Sequence, residues 1–160
     1  MDQGKLLDAL ASAEESLRLR ERLNDAVGQA RSHNVLGTIQ RRLGRHTEAF
    51  SSFDRARELE ELAQNPRGLC IALLHLGDAA RTLRRPRQAR DHYTRALSIA
   101  RRDGDQIGLA RSLERLGDML HEAGRPEDAA VCWAEALEIR ELLRHSEEAE
   151  QLRQRLRRKP

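Results

Sequence analysis

A Leu-Gly dipeptide recurs at 40-residue intervals, at Leu36-Gly37, Leu76-Gly77 and Leu116-Gly117. Other residues keep the same phase with no insertion or deletion, namely Ala49/Ala89/Ala129, Phe53/Tyr93/Trp133, Ala56/Ala96/Ala136 and Leu59/Ile99/Ile139. Self-similarity at a fixed period of this length is the signature of stacked supersecondary units, each of which contacts its neighbours. The sequence therefore predicts a repeat protein.

Each unit carries two helical patterns with a stop between them. Asp25, Asn65 and Asp105 stand in one frame as N-cap residues, so a first helix, helix A, is expected to begin after each of them. Gly44 and Gly124 are suited to the left-handed residue that ends helix A, and a second helix, helix B, follows. Hydrophobic residues make up 39% of the chain and charged residues 34%, with Ala, Leu, Glu and Arg abundant, so we predict an all-α fold.

The repeated glycine lies inside helix A, where glycine costs about 1 kcal/mol relative to alanine. A close approach of helix A to the small residues and the aromatic residue of helix B would compensate for that cost. We therefore expect Gly37, Gly77 and Gly117 to mark the contact between the two helices of each unit.

This combination of Leu-Gly, spaced alanines and an aromatic residue resembles the tetratricopeptide repeat family over residues 26–143. The period is longer than the usual repeat of about 34 residues, and Gln40, Ala80 and Leu120 replace the usual tyrosine of helix A. The resemblance implies a right-handed superhelical α–α solenoid. Its expected parts are a flanking helix at 1–24, repeats at 25–64, 65–104 and 105–144, and a capping helix with a basic tail at 145–160.

Catalytic and metal-binding patterns are not recognised in the sequence. The six histidines and the two cysteines, Cys70 and Cys132, do not form short-spaced ligand sets, and no serine or cysteine has a partnered histidine at a recognisable spacing. Asp118 and His121 share one side of a helix, which suggests a weak metal or acid–base pair or, as we prefer, polar groove lining. We predict a protein that is not an enzyme and uses no metal or cofactor.

Charge and hydropathy bear on location and partners. Acidic and basic residues interleave along most of the chain, and no apolar run is long enough to span a bilayer, so a cytoplasmic protein without a membrane partner is expected. The basic run from Arg153 to Lys159 lies at a helix C-terminus, where cations complement the helix dipole. It contains no aromatic residue that could stack on bases, so no nucleic-acid partner is expected.

The resemblance also implies a ligand groove lined by helix A of each repeat. The positions carried over are Arg31, Asn34, Thr38, Arg41, Ile71, Leu74, His75, Asp78, Arg81, Arg111, Glu114, Arg115, Asp118 and His121. Ile71 and Leu74 would form an apolar floor, and Arg31, Arg111 and Arg115 would contact anions, as a scaffold for an acidic protein or peptide ligand requires. The alternative is a sensor region of a larger bacterial signalling or transcriptional regulator. Self-association through exposed terminal helices stays open.

Overall fold

The computed structural model describes residues 3–157. Within this range the chain forms eight α-helices and no strand: α1 (Gln3–Arg22), α2 (Ala26–Arg42), α3 (His46–Leu62), α4 (Pro66–Thr82), α5 (Pro86–Asp103), α6 (Gln106–Glu122), α7 (Pro126–Leu142) and α8 (Ser146–Arg157). The A helices, α2, α4 and α6, begin where the sequence predicted. At each start the N-cap side chain accepts a hydrogen bond from a glycine N–H: Asp25 from Gly28 at 2.9 Å, Asn65 from Gly68 at 3.3 Å and Asp105 from Gly108 at 3.1 Å.

One turn geometry closes successive helices at intervals of 20 residues. A residue with positive φ follows the end of each helix from α1 to α7, at Asn24, Gly44, Gln64, Arg84, Gly104, Gly124 and Arg144. The next N–H then reaches back to a carbonyl five residues earlier, as Arg45 does to Gln40 at 2.9 Å and Arg85 does to Ala80 at 2.8 Å. This is the Schellman arrangement, which satisfies carbonyls at a helix end. This turn therefore recurs twice in each sequence repeat.

The chain divides into two compact units, Met1–His92 and Tyr93–Pro160. In the first unit, Leu10 and Ala13 of α1 pack on α2, while Phe53 of α3 packs on Leu76 and Ala79 of α4. In the second unit, α6 packs on α7 and α7 packs on α8. Trp133 of α7 is 6% exposed in that unit.

The close contact predicted for the helix A glycine is present in both units. A Cβ built at Gly37 would lie 2.6 Å from Cε1 of Phe53, and one built at Gly117 would lie 2.5 Å from Nε1 of Trp133. Such distances are far below van der Waals contact, so the aromatic ring of helix B lies directly against the backbone of helix A. The Leu-Gly motif therefore marks where the two helices of a repeat meet.

Gly37→Ala should lower the stability of the fold. Overpacking against the buried Phe53 ring costs about 1–3 kcal/mol, whereas the gain in helix propensity is about 1 kcal/mol. Urea unfolding of the two proteins gives the comparison. On a Phe53→Leu background the same substitution should cost less, because a smaller side chain relieves the overlap. A Gly37→Ala variant that is more stable than the wild type would show that the Phe53 ring can accommodate a Cβ at position 37.

His33 occupies a position that is apolar in the other two repeats. Its equivalents, Leu73 and Leu113, are 0% and 2% exposed. His33 is half-buried, and its Nδ1 is buried without a hydrogen-bond partner among the described residues. Burial, with a further contribution from Arg55, lowers the pKa of the His33 imidazole below its ordinary value of 6.5. The neutral histidine is thus part of the α2 packing.

This histidine should make stability fall as the medium becomes acidic. The pKa of His33 is lower in the folded state than in the unfolded state. Protonation of the unfolded chain therefore lowers the free energy of unfolding as the pH falls below about 6.5, whereas above that value no stability is lost. His33→Leu should therefore raise the melting temperature, and the difference between variant and wild type should widen from about pH 7 to about pH 5. A difference that is constant with pH would mean that folding leaves this pKa unchanged.

Candidate functional site

The predicted ligand-binding residues of the first unit lie on α2 and α4. We call Arg31, Asn34, Thr38, Arg41, Ile71, His75, Asp78 and Arg81, together with Val35, the first A-helix surface. The structure brings two of its members from different repeats together, since His75 Nδ1 lies 3.3 Å from Asn34 Oδ1. The His75 ring also packs 4.8 Å from the Phe53 ring, centroid to centroid. The same aromatic residue that meets Gly37 therefore supports the polar centre of this surface.

Apolar and cationic side chains surround that polar centre. Ile71 is 39% exposed, and Val35, which the sequence analysis did not select, is 51% exposed. Arg31 and Arg41 are exposed, whereas Asp78 and Arg81 are half-buried and already engaged in interactions. The Thr38 hydroxyl donates a hydrogen bond to the Asn34 carbonyl at 2.9 Å, so this donor is used within the helix.

Leu74 does not provide the apolar floor that was expected of it. The side chain is only 6% exposed, which leaves almost no area for a ligand. A leucine at this position of an amphipathic helix is equally compatible with a groove and with the core, so its sequence position could not separate the two. The accessible apolar area of the first A-helix surface comes from Ile71 and Val35 instead.

A second predicted groove residue, Glu114 of the second unit, is held in an ion pair inside the fold. Its Oε1 accepts a hydrogen bond from Arg140 Nε at 2.8 Å, and the two side chains are 14% and 4% exposed. Arg140 Nη1 lies a further 3.1 Å from His145 Nδ1. Removing one partner of a buried ion pair leaves the other charge uncompensated, so Glu114 is fixed as part of the α6–α7 packing.

The repeat position of Arg140 is charged and buried in the first unit as well. Its equivalent there is Glu60, which is 2% exposed and accepts a hydrogen bond from Asn65 Nδ2 at 2.8 Å. Burial raises the pKa of the Glu60 carboxyl above its ordinary range. A Cβ at Gly68 would overlap this carboxylate, so the glycine after the helix start makes room for it.

Asp118 and His121 line an open cleft of about 200 Å³ in the second unit, together with Glu122, Trp133 and Arg155. Asp118 Oδ1 accepts a hydrogen bond from the Trp133 indole N–H at 3.1 Å and pairs with Arg155 Nη1 at 3.0 Å. The His121 ring lies 5.4 Å from the Trp133 ring, and the Arg155 guanidinium lies 5.9 Å from the ring centroid. Asp118 therefore holds α8 in place rather than forming a pair with His121.

The basic run at the end of the chain is partly structural for the same reason. Besides Arg155, Arg153 pairs with Glu141 at 2.6 Å and with Glu150 at 3.3 Å. Arg158 and Lys159, which belong to the same run, lie outside the described residues. The run was interpreted as a complement to the helix dipole, but Arg153 and Arg155 also attach α8 to α7 and α6, respectively.

The two cysteines of the chain form no disulfide. Cys70 is buried and Cys132 is half-buried, and both are free thiols. Burial raises the pKa of the Cys132 thiol, helped by Glu135 and Asp128. Residues 3–157 contain no group of three or more histidine, cysteine or carboxylate side chains placed to hold a metal ion. No helix in that range is long and apolar enough to cross a membrane.

The helical pairs, the Leu-Gly contact and the helix caps define an all-α repeat protein of the solenoid class. The family model described as tetratricopeptide repeat matches residues 1–61 and 68–142. The chain therefore belongs to the tetratricopeptide repeat family, which supports the class of protein–protein interaction scaffold. The first match begins at residue 1, so it includes α1, which the sequence analysis had set apart as a flanking helix.

Two solved structures share this fold at low sequence identity. The crystal structure of BtubC (BKLC) from P. vanneervenii has a TM-score of 0.76 and 19% identity, over 95% of this chain and 73% of that one. The crystal structure of MamA has a TM-score of 0.60 and 18% identity, over 89% of this chain and 87% of that one. No protein with a curated annotation matches the chain significantly in sequence. At these identities the likeness concerns the fold alone.

Proposed function

We propose that the chain is a non-enzymatic scaffold whose first A-helix surface binds a partner segment carrying apolar and acidic side chains. The observation that carries the proposal is the contact between Asn34 and His75, which joins residues of two successive A helices into one surface. Membership of the tetratricopeptide repeat family supports the scaffold role and its non-enzymatic character.

The chemistry of this surface suits an extended segment. Asn34 and His75 offer polar atoms to a peptide backbone, while Ile71 and Val35 offer exposed apolar area to its side chains. Arg31 in the second turn and Arg41 in the last turn of α2 are exposed cations, where carboxylates of the segment would find charge-assisted partners. An acidic segment with one or two aliphatic residues satisfies all three features.

The second unit offers related chemistry on α6. Arg111 is exposed and Arg115 is half-buried on the same helix, four residues apart, so the two side chains project from one face. Both were predicted as anion contacts from the sequence. We therefore propose that these two arginines bind an acidic ligand on α6 within the second unit.

The test begins with peptides selected from a random display library on the immobilised wild-type chain. The peptides should be enriched in Asp, Glu and aliphatic residues. Ile71→Asp combined with Arg41→Glu should weaken their binding at least about tenfold, because an apolar contact and a charge-assisted bond of about 1.5–3 kcal/mol are lost. Binding is measured by fluorescence anisotropy, with melting temperature as the check on folding.

A matched control changes the same residue types elsewhere in the first unit. Leu62 is 79% exposed at the end of α3, and Arg22 is exposed at the end of α1. Leu62→Asp combined with Arg22→Glu should leave peptide affinity nearly unchanged. Selected peptides that bind both variants equally well would place the ligand elsewhere and remove the basis of the proposal.

A further inference from the structure

Six arginines lie in or next to two helix A to helix B turns of the first unit. We call them the basic edge: Arg42 and Arg45 at the α2–α3 turn, and Arg84, Arg85, Arg87 and Arg90 at the α4–α5 turn. All six are exposed. The stretches 41–50 and 81–92 contain only Glu48 and Asp91 as carboxylates, so positive charge dominates locally.

Two aromatic contacts hold the two turns together. The Arg85 guanidinium lies 5.8 Å from the centroid of the Phe50 ring, and the Phe50 and His92 rings are 6.3 Å apart. Phe50 belongs to the first turns of α3, whereas Arg85 and His92 belong to the α4–α5 segment. The turn backbone is also fixed, because Arg84 N–H and Arg85 N–H bond to the Arg81 and Ala80 carbonyls. The arginines therefore project from an ordered support.

The other two repeats neutralise the equivalent of Arg85. Arg45 lies 3.7 Å from Glu48, and Arg125 lies 2.7 Å from Asp128, each pair three residues apart at the start of a B helix. In the second repeat the acidic position is Gln88. The first turn of α5 contains no acidic residue and has Arg87 instead, which opposes the helix dipole.

The second repeat thus lacks the acidic residue that pairs with this arginine in the first and third repeats. Within residues 3–157, no carboxylate pairs with Arg84, Arg87 or Arg90. Unpaired like charges and a basic helix start both disfavour the folded state, and such departures from local consistency are expected where a surface serves a ligand. An external anion would satisfy these groups.

We propose that the basic edge binds an acidic segment of a partner protein. It is separate from the first A-helix surface, to which the neighbouring Arg41 and Arg81 belong, and it stands independently of that surface. Planar guanidinium groups match carboxylates in a two-bond fork, and several of them on one ordered edge favour a run of Asp and Glu.

Nucleic acid and membrane surfaces fit the same edge less well. The Phe50 ring, on which a base could stack, already has the Arg85 guanidinium over one face. The large apolar side chains exposed in the described part of the first unit, among them Leu62 and Ile71, all lie outside stretches 41–50 and 81–92. Insertion into a bilayer would need apolar groups beside the cations.

The first experiment measures binding of a fluorescein-labelled short oligoglutamate peptide to the whole chain by anisotropy. Affinity should fall as salt is raised. Arg84→Gln combined with Arg87→Gln should weaken binding about tenfold. Arg22→Gln combined with Arg67→Gln removes the same charge from exposed positions outside the two turns and should change affinity less than about twofold.

A second variant gives opposite changes in stability and binding. Gln88→Glu restores the acid that the other repeats have, so it should pair with Arg85 and complement the α5 dipole. Its melting temperature should rise by about 1–3 °C, while oligoglutamate binding should weaken severalfold. If the arginines had only a structural role, the gain in melting temperature would not be accompanied by weaker oligoglutamate binding.

Three results would overturn the proposal. The first is an equal loss of oligoglutamate affinity in the edge variant and the control variant, which would mean that net charge alone drives binding. The second is a single-stranded oligonucleotide that binds more tightly than the peptide and depends on the same arginines, which would make the edge a nucleic-acid surface. The third is unaltered peptide binding in Gln88→Glu with the expected gain in melting temperature.

Discussion

The contact between the aromatic ring of helix B and the bare backbone of helix A determines the rest of this structure. Phe53 lies against Gly37 and Trp133 against Gly117, at distances that exclude a side chain on the glycine. That contact sets how closely the two helices of a repeat approach. The same ring also contacts a following helix, through His75 of α4 on Phe53 and Arg155 of α8 on Trp133. In the first and third repeats, one aromatic position thus contributes both to the pairing of helices and to the surface that they present.

Local signals were sufficient to predict where the A helices begin and which residues form the close contact. N-cap side chains, the Leu-Gly motif and the spaced alanines act within one or two turns of helix. The local structure that they predict is therefore retained in the folded chain. The left-handed turns at Arg84, Gln64 and Arg144 were not predicted, because these residue types carry no preference for positive φ. There the hydrogen bonds of the turn and the packing of the flanking helices override the local cost.

The candidate site was harder to predict because it depends on which charges find each other in space. Glu114 looked like a ligand-binding residue on helix A, but Arg140 lies 26 residues later and buries it in an ion pair. Arg155 was interpreted as part of a basic run that complements the helix dipole, but Asp118 holds it against α6. The basic edge shows the converse, since two basic stretches that are far apart in the sequence come together only when the two turns lie side by side.

Nuclear magnetic resonance of the folded chain tests the ring-on-glycine contact most directly. The Hα protons of Gly37 should give strong nuclear Overhauser effects to the Phe53 ring protons, and those of Gly117 should give them to Hδ1 of Trp133, with chemical shifts displaced by the ring currents. These signals should persist throughout the native pH range. Glycine protons at ordinary shifts, with no cross-peaks to the aromatic rings, would contradict the contact on which the packing and the proposed surfaces depend.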